Sequence, residues 1–454
     1  MPAVPGTGFP EGFLWGAATS AYQIEGSPLA DGAGPSNWHV FAHTPGRIAD
    51  GRTGDVACDH YRRWPEDLDL MQGLGLNAYR FSLSWSRILP DGDGTVNQAG
   101  LDFYRRLVDG LCERGIAPMA TLFHWDLPDA LERRGGWLNR DSAGWFARYA
   151  EVAFRALDDR VGLWVTLNEP WVVTDGGYVG GTLAPGRTDL EQAGFAAHHL
   201  LRAHAAAVQV YRACGRHRIG LVVNLEPKYP DSDADADRHA AARAHAYMNR
   251  QFLDPALLGR YPRTLEEIYG ARWARACAAE ADTLRTAPDF LGVNYYTRAV
   301  VRAAPGAAPD GAARVPQAGA PHTQMNWEVY PRGLYDALAW TARRYGPLPL
   351  YVTENGAAFE DPAPDAGVID DPPRIDYLRA HLAAARTALA DGVDLRGYFL
   401  WSLLDNFEWS YGYTKRFGIF AVEDGSGRRI PKASARWYAA LVRARGAGLD
   451  TAPV

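Results

Sequence analysis

Two short stretches hold glutamates where a carboxylate is set up to do chemistry. Glu169 stands in Thr166-Leu167-Asn168-Glu169-Pro170 and Glu354 in Thr353-Glu354-Asn355-Gly356. Each closes an apolar run, and each lies beside a residue, Pro170 or Gly356, at which a strand stops and the chain turns. Other runs end in polar or aromatic residues of a matching kind. The first leads to Gln23 and Glu25, the second contains Arg80, the third gives His124-Trp125-Asp126, and the fifth ends at Asn224. The sixth gives Asn294-Tyr295-Tyr296, and the eighth runs from Trp401 through Asp405 and Asn406 to Glu408 and Trp409. Two carboxyl groups at one mouth, among amides, a histidine and indoles, fit cleavage of a glycosidic bond. There one acts as acid and the other as nucleophile or base, while the amides bind hydroxyls and the rings stack on a sugar face.

Such a mouth needs elements that deliver all these ends to one place. Eight β-branched or aromatic runs recur along the chain: Phe13–Thr19, Asn77–Ser82, Ala117–Phe123, Leu163–Asn168, Ile219–Leu225, Phe290–Tyr295, Leu350–Glu354 and Gly397–Ser402. Helical periodicity fills intervals between them, at Leu101–Arg114, Asp141–Leu157, Leu190–Cys214 and Tyr377–Ala390. Eight strand–helix repeats predict a closed (β/α)8 barrel, in which the C-terminal strand ends and the loops after them build the active site. An open doubly wound sheet would call for a Gly-rich phosphate loop after its first strand, and none stands there. The 454 residues are read as a single domain over 1–454, a barrel with extended loops. Ala303–Gln317 and Glu360–Asp371 are predicted to be long surface loops.

Composition narrows the partners. With 47% hydrophobic and 22% charged residues the chain can bury a large core, and a net charge of −6 without long blocks of like charge disfavours nucleic acid and anionic membranes. A small neutral substrate fits better. The start has no basic segment leading into a long apolar stretch and no apolar run reaches membrane-spanning length, so a cytoplasmic protein is expected. Cys58, Cys112, Cys214 and Cys277 form no C-x-x-C pair and are expected to be buried free thiols. His39 and His43 have the spacing of a helical ligand pair, but no Glu follows His39 as in H-E-x-x-H, so neither a zinc site nor any cofactor is predicted. His198, His199 and His204 read as packing or helix-surface residues. Only three lysines, Lys228, Lys415 and Lys432, occur among 47 basic residues, which is read as codon bias. The 15 tryptophans exceed what core filling usually needs, so some are expected to face a ligand.

From Phe13 to about Tyr438 the sequence resembles the family 1 glycoside hydrolases, the group of β-glucosidases. The motifs that carry this are FLWGAATSAYQIEG (Phe13–Gly26), HWDLP (His124–Pro128), TLNEP (Thr166–Pro170), NYY (Asn294–Tyr296), YVTENG (Tyr351–Gly356) and WSLLDNFEW (Trp401–Trp409), in the family's order. The resemblance implies a retaining double displacement with Glu169 as acid/base and Glu354 as nucleophile, their carboxyl groups roughly 5–5.5 Å apart. It implies that Arg80 and the Tyr296 hydroxyl keep Glu354 ionised. It also assigns Gln23, His124, Trp125, Asn168, Asn294, Glu408 and Trp409 to the sugar site, with Trp401 as stacking floor and Trp171 and Trp327 at the leaving-group entrance. An anionic Glu408 would repel a 6-phosphorylated sugar, so unphosphorylated β-glucosides are expected, with galactosides and fucosides tolerated. The resemblance leaves a transglycosidase open as the nearest alternative. A sugar-binding pseudoenzyme and a thioglucosidase are disfavoured because both glutamates are retained.

Overall fold

The eight apolar runs form eight parallel strands, β1 Leu14–Ala18, β2 Ala78–Ser82, β3 Ala117–Phe123, β4 Leu163–Asn168, β5 Arg218–Asn224, β6 Phe290–Asn294, β7 Leu350–Asn355 and β8 Leu395–Trp401. Each pairs with the next, and β8 returns to β1 with Gly16 opposite Phe399 and Ala18 opposite Trp401, which closes the barrel. The structure, a computed structural model, describes residues 8–449, so residues 1–7 and 450–454 of the expected 1–454 domain lie outside the described residues. The strands match the predicted runs to within two residues at either end.

Helices follow the strands and connect each to the next, among them His60–Leu74, Gln98–Glu113, Ser142–Leu157, Leu190–Cys214, Pro331–Tyr345 and Pro372–Ala390, with Ala433–Arg443 after the last strand. Asp189 caps the longest by accepting from the Gln192 amide (3.0 Å), one of the donors a helix start leaves unpaired. The helix predicted from Tyr377 begins at Pro372, because prolines are tolerated in a first turn, where their missing N–H would have had no partner. Part of the predicted loop Ala303–Gln317 is instead sheet. Ala299–Ala303 pairs antiparallel with Ala312–Arg314 and parallel with Lys228–Pro230. Ala-Ala-Arg carries no β-branched signal, so its strand is set by its partner. Cys58 and Cys277 are buried as expected, but Cys214 is only partly buried and Cys112 is exposed on the outer face of its helix.

Two apolar layers hold the barrel. Alternate strand residues such as Tyr79, Phe81, Trp164 and Val352 pack outward under the helices, whereas Ala78, Met119, Val165, Phe290, Tyr351 and Phe399 belong to a smaller cluster inside. On β2 this alternation puts Arg80 on the same face as Ala78, inside the barrel, with no exposure to solvent.

Strict alternation would send Glu354 outward with Val352. It does not, because the register of β7 against β6 shifts between Val352 and Glu354. A second shift, between Val165 and Asn168, breaks the alternation of β4 against β5. Such irregularities re-aim side chains where a strand reaches a site. Just beyond Glu354, Gly356 leaves no room for a side chain, since an added Cβ would stand 1.7 Å from the Trp401 carbonyl oxygen. Gly356→Ala is therefore expected to cost at least about 3 kcal/mol, the upper end for overpacking, because the obstructing atom is backbone. Thermal and denaturant unfolding measure it, and an unchanged melting temperature would contradict this packing.

Candidate active site

Glu354 ends β7 and Glu169 follows β4, both almost completely buried. Glu354 is held at each oxygen. Arg80 donates to Oε1 (2.6 Å) and the Tyr296 hydroxyl to Oε2 (2.5 Å). Arg80 also donates to the Thr353 carbonyl (3.2 Å) and to Asn168 Oδ1 (2.6 Å), tying β2, β7 and β4 together. Asn294 donates through Nδ2 to Glu169 Oε1 (2.7 Å) and Asn168 Oδ1 (3.0 Å), and its own oxygen accepts from the Thr353 hydroxyl (2.7 Å). Glu169 sits at φ 46°, a left-handed conformation that costs a non-glycine residue about 1–3 kcal/mol. Its N–H bonds to the Val222 carbonyl (3.0 Å), and Pro170 opens a helical turn directly after it.

The two carboxyl groups differ in electrostatic setting. Burial, and then the nearby charge of Glu354, push Glu169 up to about 8. Burial raises Glu354 as well, but Arg80 and the Tyr296 hydroxyl pull it back by favouring the ionised form. Glu169 is therefore the member that keeps its proton near neutrality. His124 is driven well below its usual value by burial and by Arg80 and stays neutral; its Nε2 lies 3.0 Å from Asn168 Nδ2, and its Nδ1 is buried without a partner.

Next to this pair lies a cavity of about 330 Å3, a size suited to a small ligand, lined by Glu169, Trp125, Trp171, Trp327, Glu408 and Trp409, with Asn224, Asn294 and Tyr296. Glu354, Arg80, Gln23, His124, Asn168 and Trp401 lie behind that lining, joined to it directly or through one another. Trp401 is stacked on His124 with ring centroids 5.8 Å apart, and Trp125 donates to the Asn168 carbonyl (3.0 Å). Gln23 donates to the Phe407 carbonyl (2.9 Å) and lies 3.5 Å from Glu408. The residues that the family resemblance assigns to this site thus line the cavity or lie directly behind its lining. Of the tryptophans set apart as core candidates, Trp145 is buried and Trp437 only partly so.

Some strand-end polar residues point elsewhere. Glu25 accepts from Arg87 (3.0 Å) and Tyr104 (2.6 Å), and Tyr295 donates to the Tyr330 carbonyl (2.6 Å). Two further residues, Asn355 of the YVTENG motif and Glu226, which the sequence did not flag, border the site. Asn355 turns outward, donating to the Tyr295 carbonyl (2.6 Å) and Tyr377 (3.1 Å) and accepting from Tyr398 (2.6 Å), which fixes the end of β7. Glu226, paired with Lys228 and with Arg314 (2.7 Å), borders the outer cavity. The anionic Glu408 of the sequence argument needs revision. Burial and the charge of Glu354 raise its carboxyl to about 8, which favours the neutral form at pH 7 and weakens charge repulsion as the ground for excluding a 6-phosphorylated sugar.

A closed (β/α)8 barrel whose mouth holds two buried carboxyl groups in unlike electrostatic settings, beside a tryptophan-lined cavity, defines the class of glycoside hydrolases. The chain belongs to Glycosyl hydrolase family 1, whose sequence model it matches over residues 6–447. It is 48% identical to a 1,4-beta-D-glucan glucohydrolase of Thermotoga neapolitana, over 96% of this chain and 99% of that protein. With a bifunctional beta-D-glucosidase/beta-D-fucosidase of Bifidobacterium breve it shares 44% identity over 95% of this chain and 97% of the other. The solved structure of a beta-glucosidase from Thermotoga maritima in complex with deoxynojirimycin superimposes with a TM-score of 0.94 at 48% identity, covering 97% of this chain and 99% of that one.

The electrostatics make a direct spectroscopic expectation. Infrared difference spectra of wild type against Glu169→Gln should show a protonated carboxyl band at pH 7 that disappears as pH rises through about 8. A Glu169 already ionised at pH 7 would contradict the burial argument.

Proposed function

We propose that the protein is a cytoplasmic retaining β-glucosidase that removes terminal β-D-glucosyl residues from cello-oligosaccharides and from aryl or alkyl β-glucosides, and that also accepts β-galactosides and β-fucosides. The whole chain serves as one barrel domain. The observation that carries this reading is the contrast between Glu354, anchored by Arg80 and Tyr296, and Glu169, which has no cation bonded to it and keeps its proton. Family membership and the relatives' names support the substrate class. Among the described residues no helix is long and apolar enough to cross a membrane.

In the first step a Glu354 oxygen attacks the anomeric carbon as the bond to the leaving oxygen breaks, and Glu169 gives its proton to that oxygen. The product is a glycosyl ester on Glu354 and a free alcohol. Esterification removes the Glu354 charge, so the second cause of the raised Glu169 pKa disappears and its ionised form, left after proton transfer, becomes less costly. That carboxylate takes a proton from water, the water oxygen bonds to the anomeric carbon, and Glu354 departs, giving a sugar of the starting configuration. Asn168 stands by the sugar 2-hydroxyl, where a hydrogen bond that tightens in the transition state is worth several kcal/mol. Gln23, His124, Glu408 and Trp409 hold the remaining hydroxyls, Trp401 forms the floor, and Trp171 and Trp327 flank the leaving group.

Glu354→Ala should abolish turnover of an aryl β-glucoside, and azide should restore it with an α-glycosyl azide as product; full activity without azide would refute the assignment. Glu169→Ala should slow poor leaving groups by about 10²–10⁴-fold and spare activated aryl glycosides, so equal loss on both would remove Glu169 as proton donor. The kcat/KM profile should fall above about pH 8, where Glu169 loses its proton, and on the acid side as Glu354 gains one. Tyr296→Phe, which deletes a hydrogen bond favouring ionised Glu354, should move the acid limb to higher pH.

A further inference from the structure

Outside the barrel mouth, His39 and His43 extend from one face of the short helix Asn37–Ala42 and its C-terminal cap toward Asp55. One ligating atom from each of the three side chains can be chosen so that all lie within 4.8 Å of one another. The hydrogen bonding of His43 carries the argument. Its Nδ1 lies 2.7 Å from the His39 carbonyl oxygen, which can only accept, so the ring proton is on Nδ1. In the neutral ring Nε2 then bears a lone pair, and it faces a carboxylate oxygen, Asp55 Oδ2, at 3.0 Å. Two acceptors at that distance repel each other unless a proton is shared between them or a metal ion is bonded to both. Beside them, His39 Nδ1 and Asp55 Oδ1 are 3.5 Å apart, and both are buried atoms without a hydrogen-bond partner.

We propose that His39, His43 and Asp55 form a binding site for a divalent transition-metal ion of the Zn2+ type. Two imidazoles and one carboxylate suit such an ion rather than Mg2+ or Ca2+, which take oxygen ligands. With metal–ligand bonds of about 2.0–2.2 Å, neighbouring ligands on a tetrahedral ion stand about 3.3–3.5 Å apart; the nitrogen–carboxylate distances, 3.0 Å to Asp55 Oδ2 and 3.5 Å to Oδ1, span that value, and three ligand atoms within 4.8 Å of one another would draw in on the ion. The bond from His43 Nδ1 to a backbone carbonyl is the outer contact by which metal-bound histidines are usually oriented. His43 and Asp55 are each about two-fifths exposed, which leaves an entry path and room for water as a further ligand. The ion would fasten the helix Asn37–Ala42 to the Asp55 turn. That turn is fixed from behind, where the Asp55 carbonyl accepts from Ser27 (2.7 Å) and an added Cβ on Gly54 would stand 2.8 Å from the Tyr22 ring. The same helix carries Trp38, whose ring lies 4.4 Å from that of Trp409 in the cavity wall, so the role is structural support of that wall.

The test uses the full chain, stripped with a chelator, desalted and titrated with Zn2+ by calorimetry. One ion per chain is expected, with affinity at least about tenfold weaker in His43→Gln and in Asp55→Asn, and unchanged in Glu169→Gln. Zn2+ should raise the melting temperature of the wild type and not of the two site variants, whose near-UV circular dichroism reports that they are folded. X-ray absorption on the zinc-loaded wild type supplies a readout independent of any variant and should show two imidazole ligands. Oxygen-only ligation, no binding by the wild type, or equal affinity in the site variants would overturn the proposal; the His43–Asp55 contact would then be an imidazolium–carboxylate pair.

Discussion

The Arg80 guanidinium inside the barrel is the constraint on which the rest of the site depends. A buried cation is tolerated only when its charge and its donors are answered by partners close by, and removing one partner of such a pair is far costlier than losing a surface contact. Arg80 answers its charge with Glu354 and bonds through its two terminal nitrogens to Glu354 Oε1, the Thr353 carbonyl and Asn168 Oδ1, reaching the ends of two strands besides its own, while its Nε is buried without a partner. The cation that keeps the Glu354 charge affordable is thus also the clamp that sets the spacing of the mouth. Asn168 and Asn294 pass that geometry on to Glu169, so the proton-holding carboxyl is positioned relative to the ionised one through amides that add no charge of their own.

The register shifts in β4 and β7 follow from the same demand. A barrel strand with strict alternation offers its mouth every second residue, and the remainder face the helices. At the end of β7, Thr353 reaches inward to Asn294 and Glu354 to Arg80, while Asn355 turns out to Tyr377 and Tyr398. Two consecutive inward residues are possible only where the register slips, and it slips between Val352 and Glu354. Gly356 then lets the chain pass against the Trp401 carbonyl. Three further mouth residues, Glu169, Trp125 and Trp409, adopt positive φ without being glycine, so local backbone strain collects where side chains must converge.

This explains which parts were legible in the sequence. The strands were, because apolar runs closed by Asn-Glu-Pro or Thr-Glu-Asn-Gly carry their own ends. The membership of the site was legible through motif residues such as Gln23, His124 and Trp409. Orientation was not, since adjacent polar residues at one strand end part company by a single position. Glu25, two residues from Gln23, is taken by Arg87 and Tyr104, and Tyr295, next to Asn294 and Tyr296, faces Tyr330. Nor was protonation: the sequence shows that Glu408 is a carboxyl group, whereas its neutrality comes from burial and from Glu354, which only the fold places near it. Asp55 escaped notice as a neighbour of His39 and His43 because its approach depends on a turn, not on helical spacing.

The cavity divides the labour of recognition unevenly. At its inner end nearly every polar group is already committed to another, as Asn168 is to Arg80, Asn294 and His124, so a sugar there meets hydroxyl partners whose positions are fixed before it arrives. At the outer end the walls are Trp171, Trp327, Met248, Met325 and Leu183, which offer area with little directional demand. Methionine adapts its shape to irregular partners, and an indole stacks on many of them. One ionic cluster interrupts that surface, Glu226 with Lys228 and Arg314. Its two cations hold the Glu226 carboxyl below its usual value against the effect of burial. The cluster is therefore a fixed, mutually paired group, and a leaving group gains from it only hydrogen bonds that do not break those pairs. On the proposed reading, in which the sugar takes the inner end and the departing alcohol the outer, discrimination is strict where the glycosidic bond is broken and permissive where the alcohol rests, so the chemistry of the two carboxyl groups is insulated from variation in the leaving group.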